Sequence, residues 1–158
     1  MIAEALLGLM VTFSSPAEHE CLAKNIYFEA RNQSIAGKIA VAQVVINRAN
    51  SKRFPDTICG VVKQGRKHKD GTMKRHLCQF SWYCDGLRDV PINRAAWEES
   101  KLLASDAMAL YQQGYDGTSG AMWYHAKNVK PYWISDFMLH TLTITCFTEQ
   151  KNRKNKCD

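Results

Sequence analysis

Glu29 stands in IYFEARNQSIAGKIAVAQVVINR, residues 26–48, directly after Tyr27 and Phe28 and ahead of a long apolar run. At about 100° per residue, Leu22, Ile26 and Glu29 fall within an arc of roughly 60°, so the carboxyl shares the apolar stripe of its helix. Glu20, Lys24 and Arg31 gather on the far side. A carboxyl in such surroundings loses hydration of its charged form, and its pKa climbs from about 4.3 towards neutrality. That is the property of a general acid still protonated near neutral pH. The plain alternative is a helix-end acid that pairs with Arg31, Arg48 or another base.

Two further segments carry rings together with hydrogen-bonding side chains: Gln79, Ser81, Trp82 and Tyr83, then Trp123, Tyr124, His125, Tyr132 and Trp133. Such a mixture suits stacking on sugar faces and bonding to hydroxyl and N-acetyl groups. Rings also bury large areas, so a core role competes for each one singly. His125 has a structural, hydrogen-bonded role as its alternative. Glycosidic hydrolysis normally uses a second carboxylate as nucleophile or as base for a water. Asp85, Asp89, Glu98 and Asp136 are available, but none is marked by its setting as Glu29 is. One acid without a partner calls for another way to complete the reaction.

The elements that must position these groups follow from local signals. Ser15-Pro16-Ala17-Glu18 has the form of a capping box and starts a helix that runs to about Arg31. Ser34 caps the next helix, IAGKIAVAQVVINRAN, apolar on nearly all sides except a strip with Gln43 and Asn47, as a central core helix would be. Within it Gly37 would admit a neighbouring backbone, and Asn47 and Arg48 either support Glu29 or lock two helices together. A short helix spans Thr57 to Lys63, and the basic stretch to His76 reads as an exposed loop. CQFSWYC reads as extended. Pro91 opens a long helix to about Gln113, with Trp97, Leu102, Leu103, Met108 and Tyr111 facing the core. YDGTSG is a loop, AMWYHAKNVKPYW irregular, and LTITCFT alternates as a closing strand. The expectation is one mostly helical α+β domain with a small β element.

At 158 residues and 46% hydrophobic content, the chain suffices for one core. Expected boundaries are an apolar segment at 1–14, read as either a targeting signal or a packed helix, a catalytic domain at 15–150 and a basic tail at 151–158. The apolar stretch Ala5–Phe13 is too short to span a bilayer, so no stable membrane insertion is expected. A formal net charge of +6 favours acidic partners, and the excess lies in Lys63–His76 and Lys151–Lys156. Six cysteines, at 21, 59, 78, 84, 146 and 157, allow about 15 pairings, which spacing does not resolve. Cys78 and Cys84 are close enough to staple a short hairpin. A zinc site from His68, His76, Cys78 and Cys84 matches no common finger spacing, so neither metal nor cofactor is expected.

FEARNQSIAGKIAVAQVVINR, FPDTICGVV, CQFSW and AMWYHAKNVKPYW, in this order and spacing, resemble the SleB-type cell wall hydrolase family of spore cortex-lytic enzymes and some phage lysins. The resemblance covers roughly Cys21 to Phe147. It implies a lysozyme-like, transglycosylase-type domain that cleaves the β-1,4 bond between N-acetylmuramic acid and N-acetylglucosamine in bacterial peptidoglycan. It makes Glu29 of the E-A-R motif the catalytic acid. By position it makes Gln79, Ser81, Trp82, Tyr124, His125 and Tyr132 substrate-contacting residues. The chain departs from the family pattern in LTITCF, with Thr143 and Thr145 where the family carries a glycine and a histidine before phenylalanine.

The resulting expectation is a monomeric lytic transglycosylase that leaves 1,6-anhydro ends, acting in the periplasm or cell wall as a phage endolysin. A hydrolytic muramidase on the same scaffold, with a second carboxylate such as Asp85, is the nearest alternative. A basic nucleic-acid-binding domain using Lys63–His76, Trp82 and Tyr83 is the alternative from another class, and it predicts salt-dependent binding without glycan cleavage.

Overall fold

The computed structural model describes residues 15–126 and 141–144. The apolar N-terminal segment, Tyr132, Trp133, Asp136, Cys146, Cys157 and the basic tail lie outside the described residues.

Helix α1 (Pro16–Ala30) starts as its sequence predicts: Ser15 Oγ accepts from Glu18 N at 3.2 Å and proline takes the first turn. The Glu18 carboxylate does not complete a capping box. Its Oε2 accepts from Ile58 N at 2.5 Å and Cys59 N at 3.2 Å, the opening N–H groups of α3 (Ile58–Val62). A negative group at those unpaired donors satisfies them and ties the two helices. The Cys21–Cys59 disulfide joins the same pair.

Helix α2 (Ile35–Ala49) is capped by Ser34, and every residue from Val41 to Ala49 is buried. It packs against α1, α3 and α4 (Arg94–Gln112), the arrangement expected of a helix apolar nearly all round. At Gly37 the close neighbour is not another element's backbone but Gln33, whose Cβ would lie 3.0 Å from an added methyl. Helix α4 begins after its cap Asn93, which accepts from Ala96 N at 3.0 Å, rather than at Pro91. Leu103, Ala104, Ala107 and Met108 form its inward stripe. Leu102, one step of about 100° away, is 67% exposed and supplies no core contact, contrary to the sequence reading.

The sequence also misreads three short segments. The basic stretch is a hairpin rather than a loop: β1 (Gly65–Lys67) pairs antiparallel with β2 (Met73–Cys78), and Gly71 at φ +86° serves the turn. Charged side chains hid its period. CQFSWYC is not extended; after Cys78 the chain coils into a 3₁₀ turn, Ser81–Cys84, closed by the Cys78–Cys84 disulfide. The stretch beginning Trp123 is a regular strand, β3 (Trp123–Ala126), parallel to β4 (Thr141–Ile144). Its hydrogen bonds come from a partner remote in sequence, which local propensity does not register. The architecture is mostly helical α+β. No helix among the described residues is long and apolar enough to cross a membrane.

The polar strip of α2 governs where β3 enters. Gln43 donates to Tyr115 O at 3.2 Å and accepts from Gly117 N at 3.0 Å. Asn47 Nδ2 donates to Asp116 Oδ2, Thr118 Oγ1 and Ala121 O at 2.9–3.0 Å. Arg48 Nε donates to Met122 O at 2.6 Å. One helix thus holds residues 115–122 at several points, and the Asp116 carboxylate, accepting from Thr118 N at 2.8 Å and Gly120 N at 2.7 Å, closes the loop on itself. Asn47→Ala removes three of these contacts and leaves a buried carbonyl without its donor, so it should lower the unfolding free energy by roughly 2–4 kcal/mol. Urea denaturation at pH 7 measures this, and an unmoved midpoint would show that the loop holds itself.

Candidate active site

Glu29 lies in the last turn of α1, four residues after Asn25 and one after Phe28. It is 4% exposed, on the same inward face as Leu22 and Ile26, both fully buried. The unpaired carbonyls at a helix C-terminus add to the disfavour of a second negative group. Neither arginine proposed as a surface partner turns the site into an ordinary ion pair at the helix end. Arg31 donates to the Tyr27 hydroxyl at 3.2 Å, and Arg48 is itself 3% exposed.

The strand fixed by α2 brings Tyr124 to this acid. Its hydroxyl donates to Glu29 Oε2 at 3.4 Å. Burial raises Glu29 to about 8, with the Tyr124 hydrogen bond and then the Arg48 charge opposing the rise. Glu29 is therefore protonated at neutral pH. Burial, then the neighbouring Glu29, pushes the Tyr124 phenol well above its usual range, so it stays a donor. Burial draws Arg48 down, against the pull of Tyr124 and Glu29.

The other candidates divide. Trp82 is a core residue: it is 3% exposed, stacks on Phe28 with centroids 4.8 Å apart, and donates from Nε1 to Asn25 Oδ1 at 3.1 Å. One face is taken by Phe28, so it backs the helix that carries Glu29, and it also lines the cavity beside the Cys21–Cys59 disulfide. Gln79 is exposed and Ser81 half-buried, both inside the loop closed by Cys78 and Cys84. His125 is half-buried, and strand alternation sends it to the face opposite Tyr124, the side of Trp123, Phe54 and Arg53. Tyr132 lies outside the described residues.

The carboxylates proposed as partners have other settings. Asp85 Oδ1 accepts from Leu87 N at 2.7 Å in a turn. Glu98 pairs with Lys101 at 2.8 Å on the outer face of α4. Asp89 lines a cavity of about 190 Å³ with Glu20, Lys24, Lys63 and Tyr83, next to the Cys21–Cys59 disulfide. Cys78 and Cys84 are spent on a disulfide and unavailable to a metal. The sequence reading passed over Asn25, whose polar side chain four residues before Glu29 on a buried face was the available signal.

A model of the cell wall hydrolase family matches residues 32–148, a span that opens just after Glu29. The spore cortex-lytic enzyme of Oceanobacillus iheyensis is 30% identical over 105 residues, 66% of this chain and 31% of that protein. The corresponding enzyme of Bacillus cereus is 30% identical over 105 residues, 66% of this chain and 33% of its own length. The chain thus spans about a third of the length of these curated relatives. Among solved structures, the catalytic domain of the germination-specific lytic transglycosylase SleB from Bacillus anthracis superposes with a TM-score of 0.56. It is 28% identical, covering 77% of this chain and 84% of that one.

A raised carboxyl pKa has a stability signature. Below about pH 4.5 Glu29 is neutral whether folded or unfolded, and its burial carries no charge penalty. As pH rises towards about 8 the unfolded chain ionises first, so the stability tied to the neutral form is lost across that window. Glu29→Gln should therefore gain on the wild type by a few kcal/mol between about pH 4.5 and 8. Urea midpoints of the two proteins across that range measure the gap, and a pH-independent gap would place Glu29 in solvent.

Proposed function

The chain belongs to the cell wall hydrolase family, and we propose that it cuts the β-1,4 bond between N-acetylmuramic acid and N-acetylglucosamine in bacterial peptidoglycan as a lytic transglycosylase. The observation that carries this reading is Glu29, a buried carboxyl protonated at neutral pH and held by a tyrosine from β3. The mostly helical, lysozyme-like domain and its likeness to the Bacillus anthracis catalytic domain support the same reading.

Glu29 passes its proton to the glycosidic oxygen as the C1–O bond breaks, and the leaving sugar departs with a free hydroxyl. The N-acetyl group of the muramic residue stabilises the oxocarbenium-like C1. The muramic 6-hydroxyl then bonds to C1, and its proton returns to Glu29, now a base. Proton and bond counts close without water. Among the described residues, the settings of Asp85, Asp89 and Glu98 favour this substrate-assisted route over a second carboxylate, Asp136 lying outside them. Gln79 and Ser81 are the proposed glycan contacts of the disulfide loop, with Tyr124 orienting the acid and His125 a proposed contact from the far face of β3.

The exposed basic hairpin suits work among anionic wall polymers outside the cytoplasm. A monomeric lysin of phage type is the setting we propose for it.

Glu29→Gln should lower solubilisation of purified sacculi by at least about 100-fold, and the wild-type rate should fall as pH rises through about 8. Mass spectrometry of the wild-type digest should show anhydromuramyl ends one water lighter than reducing ends. Reducing ends alone would make the enzyme a muramidase, and full activity in Glu29→Gln would remove the acid from the mechanism.

A further inference from the structure

Arg48 does more than its structural contact requires. The side chain is 3% exposed, with Nε on Met122 O at 2.6 Å. Its guanidinium carbon lies 5.3 Å from the Phe54 ring centre and 5.6 Å from that of Phe80. Nη1 has no acceptor among the described residues. A neutral amide could serve Met122 O, whereas a buried guanidinium adds a desolvation penalty of several kcal/mol. Cation–π attraction to the two rings offsets only part of it. A buried charge with a donor to spare fits an anion that exists for part of a cycle.

Glu29 becomes that anion in the reaction proposed above: neutral at rest, a carboxylate once its proton has gone to the leaving oxygen, neutral again when the 6-hydroxyl returns one. Resting on that reading, we infer that Arg48 is a positioning residue whose fixed charge stabilises the Glu29 carboxylate between proton donation and proton return. It acts through Glu29 and does not touch the sugar. Among the described residues, Arg48 from α2 and Tyr124 from β3 both act on Glu29, while Arg31 at the C-cap of α1 is turned to Tyr27. Tyr124 supplies a neutral hydrogen bond and Arg48 the only positive charge of the pair. Remove that charge, and burial makes the carboxylate less favourable, so donation slows.

Arg48→Gln keeps an N–H for Met122 O and deletes the charge; Arg48→Lys keeps the charge and loses the guanidinium fork. The primary readout is the titration of the Glu29 carboxyl carbon by NMR, assigned by its loss in Glu29→Gln and needing no substrate. In Arg48→Gln the midpoint should rise by about one pH unit or more, the alkaline limb of the pH–rate profile on sacculi should move with it, and the maximal rate should fall about tenfold. In Arg48→Lys the midpoint should stay at its wild-type position. A folded Arg48→Gln protein with a wild-type Glu29 titration overturns the inference. Should Arg48→Gln fail to fold, Arg48→Lys decides: a wild-type midpoint supports the charge, whereas a displaced midpoint or failure of both variants to fold leaves Arg48 a structural lock. Sacculi untouched by the wild type would overturn the functional reading instead, and the titration would still decide this one.

Discussion

Burying the Glu29 carboxyl withdraws hydration from its charged form, and every element around it must then suit a group that is neutral at rest. Helix α1 meets this by setting the acid among Leu22, Ile26 and Phe28, with Trp82 stacked behind Phe28. The helix end contributes in the same direction, since its free carbonyls repel negative charge. An acid so placed costs stability once it ionises, and a protein selected only for stability would carry glutamine or leucine there. The strain of keeping a titratable oxygen inside is the physical reason for reading the site as chemical.

Neutrality alone does not make an acid useful; it must also point at something. The loop from Tyr115 to Met122 is closed on itself by the Asp116 carboxylate and tied to α2 by Gln43, Asn47 and Arg48. Gln43 and Asn47, four residues apart, share one face of an otherwise apolar helix, and Arg48 leaves from its flank, about 100° further round. Each holds backbone groups at a different point of the loop. The chain therefore reaches Tyr124 with little freedom left, and the hydroxyl meets Glu29.

The two helices that matter most were legible because their determinants are local: Ser15 and Ser34 as caps, Pro16 in the first turn, apolar spacing between them, and Glu29 on the stripe. The polar strip on α2 was visible too, although its use was not, since the atoms it binds are about 70 residues away in the chain. Non-local pairing also explains the misread strand at Trp123, and a disulfide closing six residues explains the misread turn at Ser81. Trp82 shows the limit of reading ring-rich segments as clefts. A tryptophan beside glutamine and serine has the composition of a sugar platform, but only packing against Phe28 and Asn25 decides which face is free.

An acid that later serves as a base faces two opposed demands: a site dry enough to keep the proton on at rest, and charge enough to let it leave. Burial meets the first and Arg48 the second, with Tyr124 contributing a donor in either state. The arginine that supplies the charge also holds Met122 O, two residues before Tyr124. Charge and hydroxyl are therefore set by one linkage between α2 and β3. Any displacement of that strand moves the hydroxyl and loosens the guanidinium together, so the position of Glu29's partners and the acidity of Glu29 are one structural variable rather than two.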